Sequence, residues 1–484
     1  MSERDEVQPQ PLGLIEAIIP VASLVILVGL SYFLFGDGGA SGPSQVALTV
    51  ATMIAVLIAW RRGHSLASLH AAAVESVSSG IGAVFILLAV GALIGTWAMS
   101  GTLVAMVYFG IQILSPNYFY LTTAIVCAVI SSSIGSSWTT AGTIGVGFMG
   151  IAANMGLDPA ITAAAIISGA YFGDTTSPLS DSTNLASGTV GVGLYQHIRE
   201  TALSSSIALV LSLVLFWWLG KPGDFDATDK IAAIREFFPT SPLLFIPLVL
   251  VAALALLKFP PFTAIFMGAL AGGLVAAIGS PDRVISYANA QELPHVLGLI
   301  KSVWLALANG YKTETGNLAI DQLVSRGGMD SMLNTIWLVI TALAFGGVVE
   351  KAGVLDRLIQ PIVDRTKSTG ALMTATVGSV IGANVVTADQ YIAIVLPARM
   401  FKPAFAKLGY SPVVLSRAVG ATATPTSAIV PWNSCGAYMA ATLGVGTWHY
   451  APYALFSFLS PLVVIALAFL NIRMPRTRDV TTQG

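Results

Sequence analysis

The sequence predicts an all-α polytopic membrane protein made of two inverted-topology repeats, with about ten crossings, two re-entrant hairpins and two broken helices. Three observations predict this fold: an apolar composition, many apolar stretches of bilayer-spanning length, and an order of elements that occurs twice. The chain of 484 residues is 55% hydrophobic and 10% charged, whereas about a quarter of the residues in soluble domains are charged. A soluble chain of this composition could not cover its surface with polar groups.

The apolar stretches are either continuous or interrupted by polar residues. A bilayer core needs about 20 apolar residues in a helix, and continuous spans are predicted at 13–35, 44–60, 81–99 (with an apolar tail to 114), 202–219, 241–257, 261–279, 332–350 and 451–471. Interrupted segments are predicted at 118–157, 159–197, 369–401 and 411–447, with polar breaks at 131–142, 173–184, 382–389 and 422–433. Pro178, Pro425 and Pro431 favour these breaks because proline has no N–H. The first ten residues lack the basic region of a signal peptide, so 13–35 is expected to be a retained span.

The order of these elements repeats after about 250 residues. ALIGTWAMSGTL at 92–103 aligns with AFGGVVEKAGVL at 344–355, and SIGSSWTT at 133–140 aligns with VIGANVVT at 380–387. In each half a hairpin-like segment precedes a broken segment rich in Ser, Thr, Asp, Asn and Pro. The predicted divisions are an N-terminal tail at 1–12, the first repeat at 13–219, a linker at 220–240, the second repeat at 241–471 and a C-terminal tail at 472–484.

Lysine and arginine are distributed in opposite ways in the two halves. Arg61 and Arg62 follow the second span, which places that loop in the cytoplasm under the positive-inside rule. The loops at 115–118 and 153–158 carry no lysine or arginine, but their counterparts in the second half do. The cations of those counterparts and of the C-terminal tail are Arg365, Lys367, Arg399, Lys402, Lys407, Arg473, Arg476 and Arg478. This opposite bias predicts inverted repeats in the inner (plasma) membrane, with both termini in the cytoplasm.

The four polar breaks are the predicted functional site. Irregular polar backbone at membrane depth is tolerated only where protein buries it or where it lines an aqueous cavity. Half-helix N-termini offer N–H groups, while unwound carbonyls and hydroxyls can ligate cations. We therefore expect the breaks to meet near the membrane midplane. The candidate substrate- and ion-binding residues are Ser136, Ser137, Thr139, Asp174, Ser177, Asp181, Thr183, Asn184, Asn384, Thr387, Asp389, Thr424 and Asn433.

Three of these candidates, Asp174, Asp181 and Asp389, are carboxylates within otherwise apolar segments. A charge at membrane depth costs at least about 2.5 kcal/mol, so it usually has a partner or a function. Together with Asn384 they are the candidate Na+ ligands, and a carboxylate that gains a proton when the cation leaves would couple H+ to Na+. The alternative is structural, because an aspartate in a turn often caps a helix. No cofactor is expected beyond the transported Na+ and H+.

These features favour a secondary transporter over other classes of protein. The chain has no Walker motif of an ATP-driven pump, and its net charge of -1 gives no indication of nucleic-acid binding. Asp174 and Asp181 are seven residues apart, a spacing that an intramembrane aspartyl enzyme could use. Both lie in one broken segment, however, and the inverted repeat has no need of that chemistry. The chain is therefore not expected to be an enzyme.

Several motifs resemble the NhaC family of Na+/H+ antiporters, and the resemblance runs from about residue 65 to 450. The motifs are GAYFGDTTSPLSDSTNLA at 169–186, GTIGVGFMGIA at 142–152, TGNLAIDQLVSRGGMDSMLNTIWL at 315–338 and FGGVVEKAGVL at 345–355. The resemblance implies a member of the ion transporter superfamily, often a homodimer, whose transport domain (118–197 and 369–447) moves against a scaffold. The residues on the most specific motif are Asp174, Ser177, Pro178, Asp181, Thr183 and Asn184.

The resemblance leaves the substrate open, because the family also includes exchangers of malate and lactate. The first interpretation is an antiporter that exchanges Na+ for H+. The alternative is a Na+- or H+-coupled transporter of small organic anions or amino acids, whose carboxylate would suit the hydroxyls and half-helix N-termini. No arginine or lysine lies in the four breaks, which disfavours a dianion. The polar stretch at 309–333 is expected at the outer face, where it would cap the cavity, form a dimer contact or be an ordinary structured loop.

Overall fold

The computed structural model describes residues 9–220, 241–313, 321, 324–366 and 368–477. Several predicted features lie outside the described residues: most of the linker 220–240, the ends of both tails, part of the polar stretch 309–333, and the cations Lys367 and Arg478. The helices are α1 (Leu14–Phe35), α2 (Pro43–Arg61), α3 (Leu66–Ser79), α4 (Ile81–Ser100), α5 (Thr102–Ile113), α6 (Phe119–Ile134), α7 (Ser137–Thr140), α8 (Val146–Met155), α9 (Pro159–Thr176), α10 (Asp181–Val190), α11 (Leu194–Leu219), α12 (Ile246–Leu256), α13 (Pro261–Gly279), α14 (Pro281–Tyr287), α15 (His295–Asn309), α16 (Leu333–Lys351), α17 (Val354–Arg365), α18 (Thr369–Thr387), α19 (Gln390–Lys407), α20 (Pro412–Ser427), α21 (Ser434–Leu443), α22 (Thr447–Tyr450) and α23 (Leu455–Phe469).

The described part of the chain is helical, with no β-strand and two isolated β-bridges. Eight of its helices are long and apolar enough to cross a bilayer: α1, α2, α4, α6, α11, α13, α16 and α18. A ninth span results if Thr447–Tyr453 and Leu455–Phe469, which meet at a bend of 49°, are taken together. These findings confirm the predicted all-α polytopic membrane class.

The helix breaks lie inside the four predicted intervals, and two of them share one local design. α6 ends where Gly135 adopts the left-handed conformation (φ +79°), and the next residue, Ser136, caps α7. α18 ends where Ala388 adopts the same conformation (φ +58°), and Asp389 caps α19. A Cβ on Gly135 would lie 2.6 Å from Leu179 Cβ, so this position requires glycine for space as well as for its backbone conformation. Two residues therefore end one helix and begin the next at each of these breaks.

The other two breaks contain two of the three expected prolines. Pro178 lies between α9 and α10, and Pro431 lies between α20 and α21. The prediction that Pro425 causes a break is wrong, because Pro425 lies inside α20. Proline cannot donate to the carbonyl four residues earlier, and here Ser460 Oγ donates to that carbonyl, Ala421 O, at 2.6 Å. A hydroxyl from α23 thus replaces the missing helical hydrogen bond.

Two predicted boundaries differ from the structure. The segment predicted at 159–197 is helical only to Val190, because Gly191 (φ +84°) terminates α10. The next helix therefore begins at Leu194 rather than at 202. A 15-residue helix, α15, lies where the sequence predicts no element, and it packs against α4 and α13. Beyond it, Gly328 N donates to Gly91 O at 2.7 Å, so the end of the polar stretch lies directly on α4.

The two halves of the chain are packed against each other around the breaks. α4 lies along α13, α16 lies along α2 and α3, α6 packs on α9, and α18 packs on α19 and α20. Ser76 Oγ donates to Leu343 O at 2.8 Å, which fixes α3 to α16. α10 packs on α19 and α20, and α9 packs on α20 and α23. These last contacts bring the broken elements of the first half onto those of the second half.

Candidate functional site

A cavity of about 470 Å³ lies where the four helix breaks meet. Each break contributes to its lining, through Ser136, Asp181, Asp389 and Ser434 among others. Residues of α4, α12 and α16 line other parts of its wall. All three of the predicted carboxylates, Asp174 included, line this one space. We call it the carboxylate cavity.

Asp174 is buried and fully hydrogen-bonded at the edge of the cavity. Its Oδ2 accepts hydrogen bonds from Ser137 Oγ at 2.6 Å and from Ser137 N at 3.3 Å. Its Oδ1 accepts from Ser180 Oγ and, at 3.2 Å, from Ser182 Oγ. Four donors therefore match the acceptor sites of one carboxylate. They also join the break between α6 and α7 to the break between α9 and α10, because Ser137 belongs to the first and the other two serines to the second.

Asp181 differs from Asp174 in being exposed to the cavity without a hydrogen-bond partner. It is the first residue of α10, and its carboxylate forms no hydrogen bond or ion pair with any residue that the structure describes. The positive end of the α10 dipole favours a negative charge at this position. Its oxygens are free to bind a cation or a proton from the cavity.

Asp389 combines the two roles that the sequence leaves open. Its Oδ1 accepts hydrogen bonds from Tyr391 N at 2.7 Å and from Ile392 N at 2.9 Å, which is helix capping at the start of α19. The same residue, 8% exposed, lines the carboxylate cavity. The capping bonds use one carboxylate oxygen, which leaves Oδ2 for a ligand. The described residues contain no group of three or more His, Cys, Asp or Glu that could hold a metal ion, so the three aspartates share a space without converging on one point.

Asn384 and Asn433, the two predicted asparagines of the second half, are braces between breaks and do not line the cavity. Asn384 is fully buried, and its Nδ2 donates to Ala423 O at 2.8 Å and to Thr426 Oγ1 at 2.9 Å. Asn433 Nδ2 donates to Asn384 O at 3.1 Å, and Asn433 Oδ1 caps α21 by accepting from Cys435 N at 3.0 Å. They tie the end of α18 to the break between α20 and α21.

Other predicted residues of the first half lie beside Asp174. Ser136 and Thr139 line the cavity, and Ser136 Oγ accepts hydrogen bonds from both N and Oγ1 of Thr139 at 3.1 and 3.0 Å. Thr183 Oγ1 donates to the main-chain oxygen of Asp174 at 2.9 Å. With Ser137, these residues form the polar layer around the buried carboxylate.

The remaining predicted residues do not line the cavity, and most of them form hydrogen bonds in or beside the breaks. Asn184 Nδ2 donates to Ser180 O at 2.8 Å and to Pro178 O at 3.1 Å, which satisfies carbonyls of its own break. Thr387 Oγ1 donates to Ala383 O at 2.9 Å within α18. Ser177 Oγ accepts a hydrogen bond from Leu179 N at 3.3 Å, whereas Thr424 is buried in α20 and its Oγ1 has no hydrogen-bond partner among the described residues.

Much of the cavity wall is formed by residues that are not among those predicted from the sequence. Lys258 lies in the short loop between α12 and α13 and lines the carboxylate cavity together with Tyr391 and Trp138. A lysine between two spans has the sequence signature of an ordinary interfacial cation, so no local pattern points to it. The sequence does give a weak indication of Trp138, since it is the one large aromatic residue within the polar break at 131–142.

A second cavity of about 690 Å³ lies along α21 and the break before it, where Pro431, Ala437 and Gly444 line its wall. Its wall includes Asp158, Asn334, Ala441 and His449, and the loop between α1 and α2 contributes Ala40 and Ser41. The carboxylate cavity contacts α21 only at its first residue, Ser434. The two cavities therefore contact different residues of one short helix.

Comparison with known proteins relates the chain to transporters. The model of the Na+/H+ antiporter family matches residues 169–472. The Na+/H+ antiporter NhaC of Alkalihalophilus pseudofirmus is 37% identical over 91% of this chain and 93% of the relative. A malate-2H+/Na+-lactate antiporter of Bacillus subtilis is 34% identical over 94% of each chain. The arginine/ornithine antiporter ArcD of Halobacterium salinarum is 31% identical over 95% of this chain and 92% of the relative. The names of these relatives state different substrates.

Proposed function

Since the chain belongs to the Na+/H+ antiporter family and its relatives include NhaC antiporters, it is a secondary transporter, and we propose that it exchanges Na+ for H+ at the carboxylate cavity. The observation that carries this proposal is the presence of Asp174, Asp181 and Asp389 on one cavity between the helix breaks. The substrates are ions, so the residues act by binding, orienting and releasing them.

Exchange follows from competition for the same carboxylate oxygens. Na+ bound at Asp181 and at the free oxygen of Asp389 occupies the oxygens that a proton would need, and departure of Na+ makes these oxygens available to a proton. A carrier that returns with either Na+ or H+, but not with both, couples the two fluxes in opposite directions. Asp174 supports this site from the edge, because its four hydrogen bonds hold two breaks in register.

We place this site in an inverted-repeat architecture with ten crossings and two re-entrant hairpins. The hairpins are 118–157 and 369–401, and the repeats are 13–219 and 241–471. Support comes from the shared local design of their tips, a left-handed residue followed by an N-cap. The proposed transport domain comprises 118–197 and 369–447, and a homodimer is part of the proposal because the family resemblance implies it.

The proposed topology determines which side of the membrane each cavity faces. Both termini are cytoplasmic, so the loop that carries Lys258 is cytoplasmic and the carboxylate cavity opens toward the cytoplasm. The second cavity is bordered by the loop between α1 and α2 and by Asp158, which the same topology places outside. The structure then represents an inward-open state, and transport requires a state in which the carboxylates face the second cavity. We call that second space the outer cavity.

An alternative substrate, a small organic anion or an amino acid, is favoured by a specific observation. Lys258 supplies a cation to the wall of the carboxylate cavity, and the helices α10, α19 and α21 begin at it. Helix N-termini and a lysine both favour a carboxylate. The volume of about 470 Å³ is also within the range of small-molecule pockets. The family's malate, lactate and arginine antiporters make this the second candidate.

Solute-dependent pH changes in proteoliposomes distinguish the two candidates. An outward Na+ gradient is imposed first with no organic solute and then with malate, lactate, arginine or ornithine in the bath. The proposed function predicts that the Na+ gradient alone drives a proton flux and that Asp181→Asn abolishes it. A flux that appears only after addition of an organic solute would replace Na+/H+ exchange with solute-coupled transport.

A further inference from the structure

We propose that the stacked side chains of Trp138 and Tyr438 form the barrier between the carboxylate cavity and the outer cavity. The inference rests on the proposed transport function and adds the residues that prevent an open path between the two cavities. In this role neither residue needs to bind an ion. They keep the carboxylates accessible from one side at a time.

The two rings make an extended, fixed contact. Their centroids are 4.0 Å apart and their planes are inclined at 12°. Tyr438 Oη donates a hydrogen bond to Trp138 O at 2.8 Å, which holds the phenol over the indole. Tyr438 is fully buried, while Trp138 forms part of the wall of the carboxylate cavity. One ring comes from each half of the chain, so the contact closes the junction between the halves.

The position of Tyr438 on α21 places it between the two cavities. Ser434, the first residue of α21, lines the carboxylate cavity, whereas Ala437, Ala441 and Gly444 line the outer cavity. Ser434 and Tyr438 are four residues apart and lie on the same face of the helix. At a rise of 1.5 Å per residue, about 4.5 Å of helix axis separates Ser434 from Ala437. Less than one turn of α21 thus lies between the two cavity walls, and Tyr438 is at this junction, next to Ala437 in sequence.

This junction is tightly packed. A Cβ on Gly142 would lie 2.7 Å from Tyr438 Oη and 2.9 Å from Val90 Cγ2, so glycine is needed for this close approach. A Cβ on Gly145 would lie 3.4 Å from Leu443 Cδ2, at the far end of α21. Both glycines belong to the π-helical turn Ala141–Gly145 that follows Trp138, and such turns occur frequently at functional sites. The glycine-rich motif after the first hairpin tip therefore brings α21 against the indole.

A packed aromatic layer prevents ion passage because an ion would have to lose its hydration shell to cross it. Loss of either ring leaves a gap between two cavities whose walls carry polar groups. Water and ions can then pass without the conformational change that couples Na+ to H+. The expected defect is an uncoupled leak, whereas a residue needed only for folding would give loss of protein or loss of exchange.

The test is a leak measurement in proteoliposomes that contain the purified full chain. The parent protein carries Asp181→Asn, so that coupled exchange is removed, and Na+ influx is driven by an imposed membrane potential with no pH gradient. Trp138→Ala and Tyr438→Ala are added separately to this parent. Phe119→Ala is the matched control, because Phe119 is a fully buried aromatic residue that lines neither cavity.

Each barrier variant is expected to raise Na+ influx about tenfold or more over the parent, and Phe119→Ala is expected to leave it unchanged. Folding is checked by size-exclusion chromatography, and Trp138→Leu and Tyr438→Leu replace any alanine variant that does not fold. Folded barrier variants whose Na+ influx equals that of the parent would overturn the proposal. The comparison is made against the parent in the absence of exchange, so it does not depend on whether the transported solute is Na+ or an organic anion.

Discussion

Replacement of Asp174 by asparagine tests whether its buried carboxylate supports both the fold and the transport site. The change preserves the shape of the side chain but removes its charge and one acceptor oxygen. Ser137 N can only donate, so the remaining oxygen is expected to face Ser137 and the new amide to face Ser180 and Ser182. The two serine hydroxyls can rotate to accept from the amide. All four contacts therefore persist in a weaker form.

The expected loss of stability follows from the two shortest of these contacts, made by Ser137 Oγ and Ser180 Oγ. Hydrogen bonds to a charged group contribute about 1.5–3 kcal/mol and neutral ones about 1 kcal/mol. Loss of the charge therefore lowers the free energy of unfolding by about 2 kcal/mol. Ser182→Ala is the matched control, because it removes the longest of the three hydroxyl contacts, at 3.2 Å, and is expected to cost about 1 kcal/mol or less.

Stability is measured by denaturant unfolding in mixed micelles, and exchange is measured in proteoliposomes from the same preparations. Asp174→Asn is expected to be destabilised and to lose exchange, whereas Ser182→Ala retains most of both. An Asp174→Asn protein with wild-type stability would refute the argument from the hydrogen bonds. Retained exchange in that protein would refute the assignment of Asp174 to the support of the site.

Three further predictions follow from the same geometry. Asp181→Asn is expected to abolish Na+-driven proton flux without lowering the unfolding midpoint, since its side chain has no partner among the described residues; a lowered midpoint would contradict this. Asn384→Ala is expected to lower the free energy of unfolding by about 2–4 kcal/mol, because it removes the buried Asn384 Nδ2 donor from both Ala423 O and Thr426 Oγ1; an unchanged denaturation curve would show that Asn384 is not a brace. Single cysteines at His64 and Arg476 are expected to react with an impermeant reagent only from the cytoplasmic face, and reaction of either from outside would refute the topology.

The positions of the breaks could be predicted from the sequence because they combine two unusual local features. Serines, threonines, aspartates and prolines interrupt segments that are otherwise apolar, and irregular polar backbone in a bilayer needs a special environment. The structure puts every break inside its predicted interval and brings the three aspartates to one cavity. By contrast, α15 could not be predicted, because a 15-residue helix beside polar sequence lacks both the length and the flanks of a span.

The direction of each side chain could not be read from residue types. Asn384 and Asp389 lie five positions apart in one break, yet the first points into a hydrogen-bond network and the second lines the cavity. Lys258 and Tyr438 reach the cavity region only through tertiary packing, and they lie in sequence contexts with no local anomaly. Pro425 could not be identified as a helical residue, because its lost hydrogen bond is compensated by Ser460 on another helix.

Proton release on Na+ binding tests the central claim most directly. The purified protein in detergent is placed in weakly buffered solution, and the pH is recorded as NaCl is added, with choline chloride as the control salt. Competition between Na+ and H+ for the cavity carboxylates predicts a saturable release of protons that needs no organic solute and disappears in Asp181→Asn. A pH that does not respond to Na+, or that responds only when malate, lactate or an amino acid is present, would contradict the account.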